Sequence, residues 1–219
     1  MRAPGELRAA VGLGTAVQGL ASGLAPHEMV EGLAWLPVVG LACGAVAAAA
    51  ADVAGGLGPI ATAVAAVAAL ALLDGRWRGG VLPVITLLVE AGALTKVGGT
   101  SRTVALLVAP MLARWAIVVQ CYGGVPVSGA RDLAALVGRA RFREFALASV
   151  TALGVALVLL DAVGLAVALV AALVTIAVRV AAYRWAGGLT TRALDATSAL
   201  VEASALVLLS LVSLALRTA

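Results

Sequence analysis

Between residues 72 and 82 the chain reads LLDGRWRGGVL. Asp74, Arg76 and Arg78, with Trp77 and the glycines 75, 79 and 80, form a short polar knot between two long apolar runs. Guanidinium forks beside glycine-rich backbone suit a phosphate or a polar headgroup, because the planar donors match phosphate oxygens and glycine lets main-chain N–H groups come close. A second such place is Gly187-Gly188-Leu189-Thr190, ahead of a helix start, with Arg184 before it and Arg192 after it. Its exposed N–H groups suit a phosphate contact; as a bare pattern it is equally an ordinary turn between helices.

Other ionisable residues fall inside apolar runs, where charge is costly and therefore informative. At the helical rise, Arg114 and Glu202 each sit roughly 9 Å from the same end of their spans, and Arg179 about half as deep. Equal depth pairs Arg114 with Glu202 and leaves an arginine for a phosphate oxygen, while Arg179 is shallow enough to snorkel to the interface. Glu90 lies near the middle of its run, as a proton or ion ligand or as an acid kept neutral by burial. His27, the single histidine, has no ligand partner in the pattern and reads as a surface residue. Cys43 and Cys121 show no metal-binding spacing and imply no disulfide framework.

These groups need an apolar scaffold. Of 219 residues, 63% are hydrophobic and 12% charged, with a mean hydropathy of +1.12. A soluble domain carries about 25% charge, so lipid must be the solvent for most of this side-chain surface. Residues 1–8, MRAPGELR, lack the apolar core of a signal peptide. Seven candidate spans follow, over 35–53, 57–73, 80–97, 103–120, 145–160, 162–182 and 196–216, with a six-span reading as the competitor. The run 145–182 is divided at Asp161 and Gly164, since one uninterrupted helix there would be too long to cross once. Residues 7–24 are glycine-rich and marginal, lying along the surface or entering partway. The expected class is an all-α integral membrane protein, a single polytopic bundle of about six or seven helices.

Arginine placement orients that bundle. Arg2, Arg8, Arg76, Arg78, Arg131, Arg139, Arg141, Arg143, Arg184 and Arg192 fall on one side, against Lys96, Arg102 and Arg217 on the other. The positive-inside rule makes the first side, with the N-terminus, cytoplasmic, and Trp35, Trp77, Trp115, Tyr122, Tyr183 and Trp185 cluster toward the same ends. Within the loop 121–144, residues 128–144 (SGARDLAALVGRARFRE) place Leu133, Leu136, Val137 and Ala140 on one helical face with arginines opposite. This reads as an interfacial helix on anionic headgroups, either as a basic anchor or in contact with a phosphorylated substrate. Gly40 and Gly44 form a small-xxx-small pattern that predicts close helix packing.

Four segments, in order, resemble the cobalamin synthase family, the adenosylcobinamide-GDP ribazoletransferases. Residues 35–44 (WLPVVGLACG) are similar to that family's PLVGLLLG signature, and residues 74–82 (DGRWRGGVL) to its DSRIGTFGVL segment shortened by one. Ala113-Arg114 stands where the family has Gly-Arg, followed by Tyr122-Gly123-Gly124. Residues 187–196 (GGLTTRALDA) resemble GGITGDVLGA, with Glu202 at the place of a following family glutamate. The acidic signature HLDGLADxxDG that precedes DSRIG in the family is missing, Thr191-Arg192 replaces its Gly-Asp, and Glu90 stands in place of a lysine.

The resemblance implies a function in vitamin B12 nucleotide-loop assembly. α-Ribazole or its 5′-phosphate is joined to adenosylcobinamide-GDP with release of GMP, using Mg²⁺. It implies Asp74 as the catalytic acid, with Asp74 and Asp195 as the acids left for metal, and Arg76, Arg78, Arg114, Arg184, Gly187, Gly188, Thr190 and Arg192 as the substrate-binding set. It places the chain in the bacterial cytoplasmic membrane among lipids, corrinoid and nucleotide substrates, and other B12-assembly proteins or further copies of itself, with no nucleic-acid partner. Two alternatives stand beside an active transferase. One is a homologue that has lost catalysis and serves as a membrane binding or assembly partner; the other is an unrelated small-solute carrier working through Glu90.

Overall fold

A computed structural model describes residues 3–15, 24–75, 81–128, 131–134 and 136–218. These are helical apart from short connections, and no strand occurs among them. In order they form α1 (Ala3–Gly14), α2 (Pro26–Gly32), a 3-10 turn Leu33–Trp35, α3 (Leu36–Val53), a 3-10 turn Gly55–Leu57, α4 (Pro59–Asp74), α5 (Val81–Leu94), α6 (Gly99–Cys121), α7 (Arg131–Ala134), α8 (Phe142–Ala186) and α9 (Thr191–Thr218). Among the described residues four stretches are long and apolar enough to cross a membrane: Pro26–Val53, Gly99–Cys121, Phe142–Ala186 and Thr191–Ala215. The apolar helices α4 and α5 are shorter.

Helix α8 has 45 residues, about 68 Å if straight, more than twice the hydrocarbon core of about 30 Å. It is not straight. Asp161 has φ 49° and ψ −133°, outside helical space, and the chain reverses there. The proof is Gly164: a Cβ on it would strike the carbonyl of Ala156, two residues that a continuous helix would hold about 12 Å apart. The sequence-based division at Asp161 therefore holds. With the two arms of α8 counted separately, the described residues contain seven apolar helical segments, which make an all-α membrane bundle.

At its centre is α6, packed against α3, α8 and α9, with Leu106, Val108, Met111, Leu112 and Val118 fully buried. Its closest neighbour is α3. Pro110 lacks the N–H that would bond the Leu106 carbonyl, and that freed carbonyl lies against Gly44; a Cβ at Gly40 would fall 2.5 Å from the Pro110 carbonyl oxygen. The predicted small-residue packing is thus a backbone-to-backbone contact centred on the proline turn. Outward-facing side chains such as Ile60, Leu88, Val150, Val158, Leu169 and Ile176 are exposed and clothe the flanks facing lipid.

The marginal stretch 7–24 contributes residues 7–14 to helix α1, whose Ala9, Ala10, Gly12 and Gly14 are buried against α2 and α3; residues 16–23 lie outside the described set. One reading needs correction. Residues 128–144 do not form one interfacial helix. Among its described residues Arg131–Ala134 is helical, the chain then turns through Gly138, whose φ of 77° breaks any helix, and α8 starts afresh at Phe142. The apolar face is nonetheless buried, with Leu133, Leu136, Val137 and Ala140 in the core, because the Gly138 N–H donates to the Cys121 carbonyl at 2.9 Å and pins the loop under α6.

Candidate functional site

Arg114 is the hub of the polar end. It lies about 10 Å from the end of α6 at the helical rise and is only 2% exposed. Its Nε donates to the carbonyl of Gly14, the last residue of α1, at 3.0 Å, and Nη1 to Ser198 Oγ on α9 at 3.4 Å. Nη1 also pairs with Glu202 Oε2 at 3.7 Å, while Nη2 makes a close ion pair with Asp74 Oδ1. Cys43 of α3 lies within electrostatic reach of the same guanidinium. One side chain thereby gathers α1, α3, α4 and α9.

The local sequence explains why these groups meet. Ser198 and Glu202 are four apart on α9 and share a face. Asp74, expected in a loop, is the last residue of α4, which Gly75 terminates with φ 71°, so its carboxylate is carried on a helix end and buried to 7% exposure. Both carboxylates are turned to Arg114 in surroundings where a charge must be compensated. Arg76 and Arg78 lie outside the described residues.

A second buried network binds α6, α8 and α9 together. Gln120 Nε2 donates to the Thr175 carbonyl and to Thr197 Oγ1, both at 3.0 Å, and its Oε1 accepts from Arg179 Nε at 3.0 Å. Arg179 Nη2 also donates to the carbonyls of Val119, Gln120 and Tyr122. It therefore caps the C-terminal turn of α6, where helical carbonyls lack partners and a cation is favoured. Gln120 escaped the sequence reading, although a glutamine in an apolar span was the available signal.

The glycine turn 187–190 is a structural junction. Gly187, at φ 72°, closes α8 with its N–H on the Tyr183 carbonyl. Leu189 bridges in parallel to Pro126, and its N–H reaches the Val125 carbonyl at 2.9 Å. Gly188 is buried there because a side chain would collide with the backbone of Val125–Val127. Thr190 Oγ1 accepts from the Ala193 N–H at 3.1 Å, the geometry of a helix N-cap for α9. Arg184 and Arg192, on either side of this turn, are exposed. Glu90 is fully buried on α5, which packs against α4 and α9.

The described residues do not fit a magnesium site. Mg²⁺ demands near-octahedral oxygen ligation. Asp74 and Glu202 share a guanidinium whose positive charge opposes a cation between them. Asp195, exposed on α9, lies about 10 Å along the helix from Glu202, too far to share an ion. Among the described residues no group of three or more His, Cys, Asp or Glu is placed to hold a metal.

Fold and site define a polytopic helical membrane protein with a buried ionic hub near an arginine-rich end. A family model described as cobalamin-5-phosphate synthase matches residues 78–210, more than half of the chain, and the chain belongs to that family. The matched region takes in Glu90, Arg114, Arg179, the 187–192 turn and Glu202, whereas Trp35–Gly44 and Asp74 precede it. No curated protein and no solved structure matches the chain. Membership in this family takes the place of the unrelated-carrier reading of Glu90 and sets the chain in cobalamin biosynthesis.

Proposed function

We propose that this protein serves nucleotide-loop assembly by holding the nucleotide-activated corrinoid at the arginine-rich end of the bundle, and that it has lost the metal-assisted transfer. One observation carries the reading: Asp74, the acid that the resemblance assigns to catalysis and metal, is turned with Glu202 to Arg114, so it balances a buried arginine. Recognition falls to Arg184 and Arg192, exposed on either side of the 187–190 turn; planar guanidinium forks suit the anionic pyrophosphate of adenosylcobinamide-GDP. This end faces the cytoplasm, in keeping with the arginine excess, and the membrane is the bacterial inner membrane.

The second reading is an active transferase joining α-ribazole or its 5′-phosphate to adenosylcobinamide-GDP with release of GMP. It draws support from the family match, which spans Arg114 through Glu202. One assay separates the two. In lipid nanodiscs with Mg²⁺, adenosylcobinamide-GDP and α-ribazole, the binding reading expects saturable corrinoid binding and no GMP above empty nanodiscs. Arg184→Gln and Arg192→Gln should each weaken binding about tenfold, the worth of one charge-assisted hydrogen bond. Sustained GMP release would establish the transferase instead.

A further inference from the structure

Away from the Arg114 hub, two adjoining cavities of about 230 and 460 Å³ open between the N-terminal helices and the start of α8. Both are lined by Glu31 and Glu144; Glu6 and Arg143 border the smaller, and Arg139 and Arg141 the larger. The joint lining therefore carries three carboxylates and three guanidiniums. Among the described residues the ion pairs are Arg102–Asp52 and the two of Arg114, so none closes across this groove. Opposite charges held apart around one space, with no net charge, complement a ligand that itself bears both signs.

Two further features identify the source of that ligand. Trp35, 44% exposed at the start of α3, donates from Nε1 to Glu6 Oε2 at 3.4 Å and marks the headgroup level, where tryptophan settles. Below it the smaller cavity is floored by Val38 and Leu147, both exposed on the outer flank. The groove thus runs from polar headgroup level down to apolar surface facing the acyl chains.

We propose that this groove binds a zwitterionic aminophospholipid of the phosphatidylethanolamine type. Its ammonium group sits among Glu6, Glu31 and Glu144 beside the Trp35 ring, its phosphate lies toward Arg141 and Arg143, and its acyl chains descend over Val38 and Leu147. A cation beside an indole face adds to the carboxylate attraction. An anionic lipid would satisfy the arginines and leave the carboxylates unbalanced. The site is independent of whether the family reaction is retained.

The test is lipid retention by the full-length protein, read by native mass spectrometry after exchange in detergent. Dioleoylphosphatidylethanolamine should be retained at least about fivefold over dioleoylphosphatidylglycerol. Glu31→Gln should abolish that preference without reducing phosphatidylglycerol retention, and Arg141→Gln should lower both. Should Glu31→Gln fail to fold, Glu6→Gln should reduce the same preference. Equal retention of the two lipids by the native chain, or an unchanged preference in the folded variants, overturns the proposal. Displacement of the lipid by equimolar soluble glycerophosphoethanolamine would overturn the lipid assignment and make the groove a site for a soluble zwitterion.

Discussion

Replacing Arg114 with methionine removes the positive centre of the hub while keeping most of its volume. The change takes the Arg114 charge from the buried Asp74 and Glu202 and its donors from the Gly14 carbonyl and the Ser198 hydroxyl. Breaking a buried ion pair by deleting one partner costs about 3–5 kcal/mol. At about 2–4 °C per kcal/mol for a chain of this size, the apparent Tm should fall by about 10 °C, read as loss of the monodisperse peak on heating in detergent. The triple variant Asp74→Asn, Arg114→Met, Glu202→Gln removes these three charges together and should recover much of that loss, since neutralising paired buried ions together is far less harmful than orphaning one of them. A drop under about 2 °C for Arg114→Met, or a triple variant no more stable than the single, would refute the hub as the tie among α1, α4 and α9.

Three other outcomes follow from the packing. Gly44→Val should prevent α3 from seating on α6, because its Cβ meets the Leu106 carbonyl and neither backbone can yield; the expected readout is loss of folded, detergent-stable protein, against near-normal yield for Gly92→Ala, where nothing lies within 4 Å. Asp161→Gly relieves a positive-φ residue at the α8 reversal and should raise thermal stability by about 1 kcal/mol, whereas Asp161→Val should lower it. Ser101→Cys and Ser128→Cys lie exposed at opposite ends of the bundle and should react with an impermeant maleimide from opposite sides of sealed vesicles, with the native Cys43 and Cys121 silent because they are buried.

Much of this arrangement was legible in the residues, and the exceptions have physical causes. Equal depth brought Arg114 and Glu202 to one level, and they lie 3.7 Å apart, because span depth follows directly from helical rise. The reversal at Asp161 was legible from the excessive length of the run together with the turn that Asp161 and Gly164 offer. Gly14 as an acceptor for Arg114 was not, since a backbone carbonyl has no residue-type signature. Asp74 looked like a loop acid because the glycines after it dominate the local pattern, yet α4 runs through to it before Gly75 ends the helix. The segment 128–144 has the right apolar face and the wrong backbone. Its periodicity is genuine, but Gly138 takes a left-handed conformation that periodicity cannot register. Arg179, read as snorkelling or phosphate-facing, finds the end of α6 instead, a contact set by how α8 crosses α6.

The proposed function requires that the ionic hub hold the family fold while the transfer step is gone. Its most direct test is GMP formation by the purified chain in nanodiscs, followed by chromatography over a Mg²⁺ titration with adenosylcobinamide-GDP and α-ribazole present, alongside equilibrium binding of the corrinoid. Saturable corrinoid binding is expected, with GMP at the level of empty nanodiscs at every Mg²⁺ concentration. GMP that rises with Mg²⁺ and accumulates over many turnovers per protein would contradict it.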